Sequence, residues 1–178
     1  DYQVQGIPLA ELCKEYGTPL YVYDGGRIRS QYRRLRDAFP GVKLGIKYAC
    51  KALNNLSVLR LLREEGAGLD AVSIQEAMLG LKAGFEPHEI LFTPNCVSME
   101  EVRMGVELGI RINLDNISLL EQFGHEYGGS VPVFIRLNPH IMAGGNPHIS
   151  VGHIDSKFGV SIYQMRHLHR VVNTYGIK

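Results

Sequence analysis

The chain has 178 residues, of which 45% are hydrophobic and 21% charged, with a formal net charge of +1. That length fits one ordinary domain, and that balance fits a globular protein without the basic field of a nucleic-acid binder. No apolar run approaches the roughly 20 residues that span a bilayer, and no basic-then-apolar signal pattern opens the chain.

Leu9, Leu12 and Cys13 mark a short helix that Gly17 would end. Thr18-Pro19 leads into Leu20-Tyr21-Val22-Tyr23-Asp24, whose residue types predict a strand. Residues 27–39 have helical spacing. Ile28, Tyr32, Leu35 and Phe39 share one face, and Arg27, Arg29, Arg33, Arg34 and Arg36 lie mainly elsewhere. Such a cluster could bind phosphate or RNA, but a solvated helix face explains it more simply.

The next stretch carries the chemistry. Leu44, Ile46, Tyr48 and Cys50 alternate with Gly45, Lys47, Ala49 and Lys51, a strand pattern. A helix follows, with Leu56, Val58, Leu59, Leu61 and Leu62 on its apolar side. Lys51 therefore falls where a strand gives way to a helix. In parallel α/β folds that edge of the sheet is where ligands bind. A lysine there is either a solvated strand end or, with a lowered pKa, a nucleophile.

From here a βα rhythm runs through the chain. Predicted strands end near Asp24, Cys50, Val72, Thr93, Asp115 and Leu137, at separations of 21–26 residues. Helices are expected over residues 53–65, 74–84, 98–109 and 116–127, with Gly66, Gly84 and Gly109 as stops for three of them. Strand–helix–strand at this spacing implies parallel pairing with right-handed crossovers. An open doubly wound sheet would satisfy it. The short, regular units favour a (β/α)8 TIM-type barrel, incomplete here at about six βα units, since a complete one takes about 250 residues. Tyr175-Gly176-Ile177-Lys178 reads as a helix end running into a further strand.

After Leu137 the rhythm breaks into a long connection over residues 138–159, of a length that is often functional. His140, His148 and His153 fall in it, at spacings of eight and five that match no common zinc pattern. They read as loop residues rather than metal ligands. Cys13, Cys50 and Cys96 are scattered, without a CxxC pair. They suggest a reducing cytoplasm rather than a disulfide framework.

Tyr48-Ala49-Cys50-Lys51-Ala52 resembles the YAxKA signature of the fold type III, pyridoxal-phosphate-dependent decarboxylases. Gly68-Leu69-Asp70-Ala71-Val72-Ser73, with Glu76, resembles that family's next strand and helix start. Arg136-Leu137-Asn138-Pro139 resembles the strand with its active-site arginine, and Asp155-Ser156-Lys157-Phe158-Gly159 resembles the SKFG segment that follows. The matches occur in order and cover nearly the whole chain. Leu53 departs from the Asn usual in relatives.

The resemblance implies pyridoxal 5'-phosphate as cofactor and Lys51 as the catalytic lysine that holds it covalently. Asp70, Glu76 and Arg136 would be further cofactor-binding residues, the carboxylates near the Lys51 nitrogen and Arg136 bracing the wall. Taken from sequence alone, Asp70 could simply end a strand, Glu76 could stabilise a helix start, and Arg136 could pair with a carboxylate. The implied reaction is decarboxylation of an amino acid, meso-diaminopimelate giving lysine first among them. Alternatives are ornithine, arginine or carboxynorspermidine decarboxylation, amino-acid racemisation, or cofactor binding without turnover. The implied partners are a small-molecule amino acid and, for the whole enzyme, a second subunit in a homodimer, with neither nucleic acid nor membrane.

The expected organisation is an N-terminal segment over residues 1–19 and a partial cofactor-binding barrel over residues 20–178. Relatives carry a stacking histidine, a glycine-rich phosphate loop, an acidic partner of the pyridine nitrogen and a C-terminal β domain further along. The chain thus reads as the N-terminal portion of a larger enzyme. By itself it is expected to be inactive, and to associate through open strand edges and apolar inward faces.

Overall fold

Successive βα units set five short strands side by side, all parallel. The computed structural model describes residues 2–141 and 158–178. A small hairpin, β1 (Gln3–Val4) and β2 (Ile7–Pro8), opens into helix α1 (Leu9–Tyr16). Helix α2 (Gly25–Asp37) follows, and then the repeating part. In order it runs β3 (Lys47–Ala49), α3 (Leu56–Glu64), β4 (Gly68–Ala71), α4 (Ile74–Ala83), β5 (Ile90–Phe92), α5 (Met99–Glu107), β6 (Arg111–Leu114), α6 (Ile117–Tyr127) and β7 (Val133–Ile135). The sheet order is β3-β4-β5-β6-β7, with no strand out of sequence. Two short parallel strands, β8 (Leu137–Asn138) and β9 (Val160–Ser161), form a separate two-stranded sheet, and helix α7 (Met165–Tyr175) comes last. The architecture is α/β, a partial (β/α) barrel.

Alternation along the strands explains the layering. Leu69, Ala71, Ile90, Phe92, Ile112 and Leu114 are almost wholly buried and form the core with Leu59, Ile74, Val102, Leu120 and Phe123 from the helices. The intervening strand positions carry Lys47, Asp70, Arg111 and Asn113. Leu91 and Phe134 share that phase, so the inward face is mixed rather than wholly apolar as the barrel pattern led one to expect. The helices begin where the strands end, and a side-chain acceptor opens each of five. Asp24, Asn55, Ser73, Ser98 and Asn116 cap α2 to α6, taking backbone N–H groups that the first turn leaves over. Gly66, Gly84 and Gly109 follow α3, α4 and α5 with positive φ, as the stop signals predict.

Two strand expectations need correction. Leu20–Asp24 joins no sheet. Among the described residues no strand pairs with it, and Tyr21 and Tyr23 are 85% and 54% exposed. The barrel sheet instead begins at β3, so it holds five strands rather than six. β9 pairs in parallel with β8 in a two-stranded sheet of its own, too short to stand out from its sequence. At the other end, the Val133 N–H donates to the Lys178 carbonyl at 2.9 Å, as a strand after α7 would begin to do. Among the described residues, no helix is long and apolar enough to cross a membrane.

The arginines of α2 are largely taken up by carboxylates. Arg29 reaches Glu64 and Glu65, both at 2.8 Å, and Arg33 reaches Glu65 at 2.6 Å. The two guanidinium groups pull the Glu65 carboxyl down to about 2. A carboxyl lowered on folding stabilises the protein above its ordinary range and loses that contribution as pH falls. Wild-type protein should therefore unfold at higher urea than Glu65→Gln near neutral pH. The gap should close between about pH 4.5 and the folded value near 2, and paired urea titrations across that range measure it.

Candidate active site

Chemistry gathers at the C-terminal ends of the strands, on the face turned away from the helices. β3 stops at Ala49, and one 3₁₀ turn over Cys50–Ala52 follows. The turn buries Cys50 completely in the core and leaves Lys51 exposed at the mouth of a cavity of about 600 Å³. Asp70 and Val72 reach the cavity from β4 and its exit. Thr93 and Asn95 reach it from the exit of β5, Asn113 from β6, and Arg136 from the residue between β7 and β8. Phe158 closes one side, with its ring centre 4.4 Å from the Arg136 guanidinium carbon. The volume suits a cofactor-sized ligand.

Hydrogen bonds hold this lining in place. The Thr93 hydroxyl donates to Asp70 Oδ1. Asn95 Nδ2 donates to Asp115 Oδ2 at 2.6 Å, and Asn116 Nδ2 donates to Asp115 Oδ1 at 3.0 Å. The Arg136 backbone is fixed from both sides. Its N–H donates to the Leu114 carbonyl, and its carbonyl accepts from the Val160 N–H, each at 2.8 Å.

Of the four residues singled out by sequence, Lys51, Asp70 and Arg136 line the one cavity. Glu76 does not. Its Oε2 accepts the Val72 N–H at 2.8 Å, while its own N–H donates to Ser73 Oγ at 3.2 Å. Glu76 thus ties the end of β4 to the start of α4, one step behind the lining. Thr93, Asn95, Asn113 and Phe158 were not singled out. The signal for the first three was available: each is a polar side chain in phase with the inward positions of its strand. Phe158 lies in the SKFG segment, but nothing in its spacing points to Arg136.

Lys47 faces inward four residues before Lys51, deeper in the sheet. Its amine donates to the Glu89 carbonyl at 2.7 Å. Burial, and then the charge of Arg111, hold its pKa below the ordinary lysine value. In the long connection, His140 stacks on Tyr163 with ring centres 5.2 Å apart, and its Nε2 lies 2.6 Å from Ser161 Oγ. His148, His153 and the Asp155-Ser156-Lys157 part of the SKFG match lie outside the described residues. Among the described residues, no group of three His, Cys, Asp or Glu side chains could hold a metal ion.

Residues 25–178 match the family described as pyridoxal-dependent decarboxylase, pyridoxal binding domain. The chain belongs to that family. Among similar proteins is the diaminopimelate decarboxylase of Methanothermobacter thermautotrophicus, 41% identical over 177 residues. That match covers 98% of this chain and 41% of the relative. The diaminopimelate decarboxylase of Bacillus subtilis is 38% identical, over 90% of this chain and 38% of its own length. In structure, the Helicobacter pylori diaminopimelate decarboxylase complexed with L-lysine superposes with a TM-score of 0.86 at 33% identity. It covers 96% of this chain and 44% of that one. The chain thus spans about two fifths of the length of these relatives.

Within this pyridoxal-binding domain, Cys50 and Lys51 are adjacent but opposed, one buried in the core and one at the cavity. Burial, with the nearby charges of Glu76 and Asp70, pushes the Cys50 thiol up to about 11. At about pH 8 it stays protonated and shielded, whereas Cys96 is exposed. Iodoacetamide should therefore modify Cys96 first and leave Cys50 unmodified until the protein unfolds, as peptide mass mapping over time would reveal.

Proposed function

We propose that the protein carrying this chain is a pyridoxal-phosphate-dependent decarboxylase of meso-diaminopimelate, releasing carbon dioxide and L-lysine. The observation that carries the proposal is the convergence of Lys51, Asp70 and Arg136 on one cavity at the strand ends, in a chain of the pyridoxal-dependent decarboxylase family. The diaminopimelate decarboxylases among its relatives support the substrate. Residues 20–178 are proposed as the cofactor-binding unit. A homodimer in the cytoplasm is the assembly and setting that the family resemblance supports.

The side chains fit the cofactor. An exposed primary amine, a carboxylate and a guanidinium converge on a cavity of suitable size. When bound, pyridoxal phosphate supplies a ring that accepts the electrons released as carbon dioxide leaves. Lys51 would hold the aldehyde carbon through Nζ. The Asp70 carboxylate would stabilise positive charge on that nitrogen. Arg136, kept in place by its two backbone bonds and by Phe158, would supply a fixed positive wall for an anionic group. Glu76 would support the cofactor through the strand end at Val72.

Borohydride reduction of the protein loaded with pyridoxal phosphate, followed by peptide mapping, should place the label on Lys51 and not on Lys47. Lys51→Ala should lose the label and lower carbon dioxide release by roughly 10²–10⁴-fold, the scale for removing a catalytic side chain. Its thermal melt should barely move, because Lys51 is exposed. A label on Lys47 would overturn the site. Release of carbon dioxide from ornithine, arginine or carboxynorspermidine in preference to meso-diaminopimelate would overturn the substrate. Racemisation without carbon dioxide would overturn the reaction.

A further inference from the structure

We infer that Thr93 is a positioning residue, which fixes the Asp70 carboxylate against the Lys51 side of the cavity. The inference rests on the proposed cofactor site and adds to it a residue that the sequence signatures do not contain.

Thr93 has little freedom. Its N–H donates to the Ala71 carbonyl at 2.8 Å, which continues the β4–β5 ladder one residue past β5. Pro94 behind it is fully buried. Asn95 on the far side is anchored to Asp115, itself 5% exposed. A β-branched side chain on so constrained a backbone has few rotamers. Its hydroxyl is thereby aimed at Asp70 Oδ1 from the neighbouring strand. One carboxylate oxygen is thus occupied, which leaves Oδ2 for a cation in the cavity that Asp70 and Lys51 share.

The alternative for Asp70 is rotation about χ1 and χ2 in a polar, half-buried setting. A rotating carboxylate spreads its charge over several positions and holds a neighbouring cation less well. Thr93→Val keeps the shape and removes only the hydroxyl, leaving Oδ1 without its donor. The cationic nitrogen at Lys51 should then deprotonate at lower pH, and turnover should fall through kcat more than through KM.

The test measures visible absorbance against pH in the pyridoxal-phosphate-loaded protein, beside borohydride labelling of Lys51. Thr93→Val and Thr93→Ala should keep the label and lower the absorbance midpoint by at least about 0.5 pH unit. Thr93→Ser, which restores a hydroxyl, should return it toward the original value. In an Asp70→Asn background, Thr93→Val should add no further shift, because the two residues act as one unit. An unchanged midpoint in the labelled Val and Ala variants would overturn the inference and leave the cofactor site standing. An undiminished shift in the Asp70→Asn background would also overturn it, by showing that Thr93 acts through another group. Absence of label on Lys51 in the unsubstituted protein would remove the site and the inference together.

Discussion

The pleat of the parallel strands governs everything else in this domain. Side chains alternate between two faces, so each strand places an apolar residue against the helices and the next residue in the lumen. Leu69 and Ala71 bracket Asp70 in this way, and Cys50 precedes Lys51. A slip of one residue in the pairing of Ala49 with Asp70 would exchange the two sets. It would place a carboxylate in the core and a leucine in the cavity. The apolar layer therefore does more than stabilise the fold, because its register decides which chemistry faces the ligand.

Much of this was legible in the sequence, and the reasons differ by element. The helices after β3, β4, β5 and β6 announce themselves through the βα rhythm, and three of them through a glycine at the stop. The place of Lys51 at a strand end was legible because its strand alternates clearly, and its candidacy rested on several family matches occurring in order. Asp70 and Arg136 became legible only through the family resemblance, since each alone is an ordinary charged residue at a strand end. Leu20–Asp24 misled because strand propensity describes what a segment could pair with, and pairing is decided by neighbours. Glu76 shows the converse. Its helix-start position suggests local capping, and in the structure its carboxylate holds a backbone N–H rather than facing the cavity.

Thr93, Asn95, Asn113 and Phe158 escaped for a different reason. The first three carry an in-phase polar signal within their own strands, but which neighbours they meet depends on the register between strands. Thr93 meets Asp70 because Ala71 pairs with Phe92. Phe158 meets Arg136 because β9 pairs in parallel with β8, a partner distant in sequence. The arginines of α2 follow the same logic. Their spacing along the helix was evident, but the acidic pair at Glu64 and Glu65 that absorbs Arg29 and Arg33 lies at the C-terminal end of α3.

The caps at Asn55, Ser73, Ser98 and Asn116 stand on the same rim of the sheet as the cavity, yet none of the four lines it. Polar residues on that rim fall into caps and lining residues, joined at Asn116, which caps α6 and also donates to the Asp115 that anchors Asn95. The caps hold helices in place, and exchanging one typically costs about 1 kcal/mol of stability. The inward strand-end residues contribute little to the core. Away from that link, such a scaffold can change the molecule it accepts by altering lumen positions one at a time, while its architecture stays under separate selection. Inheritance of new substrates within one barrel is then limited by cavity chemistry rather than by the risk of unfolding.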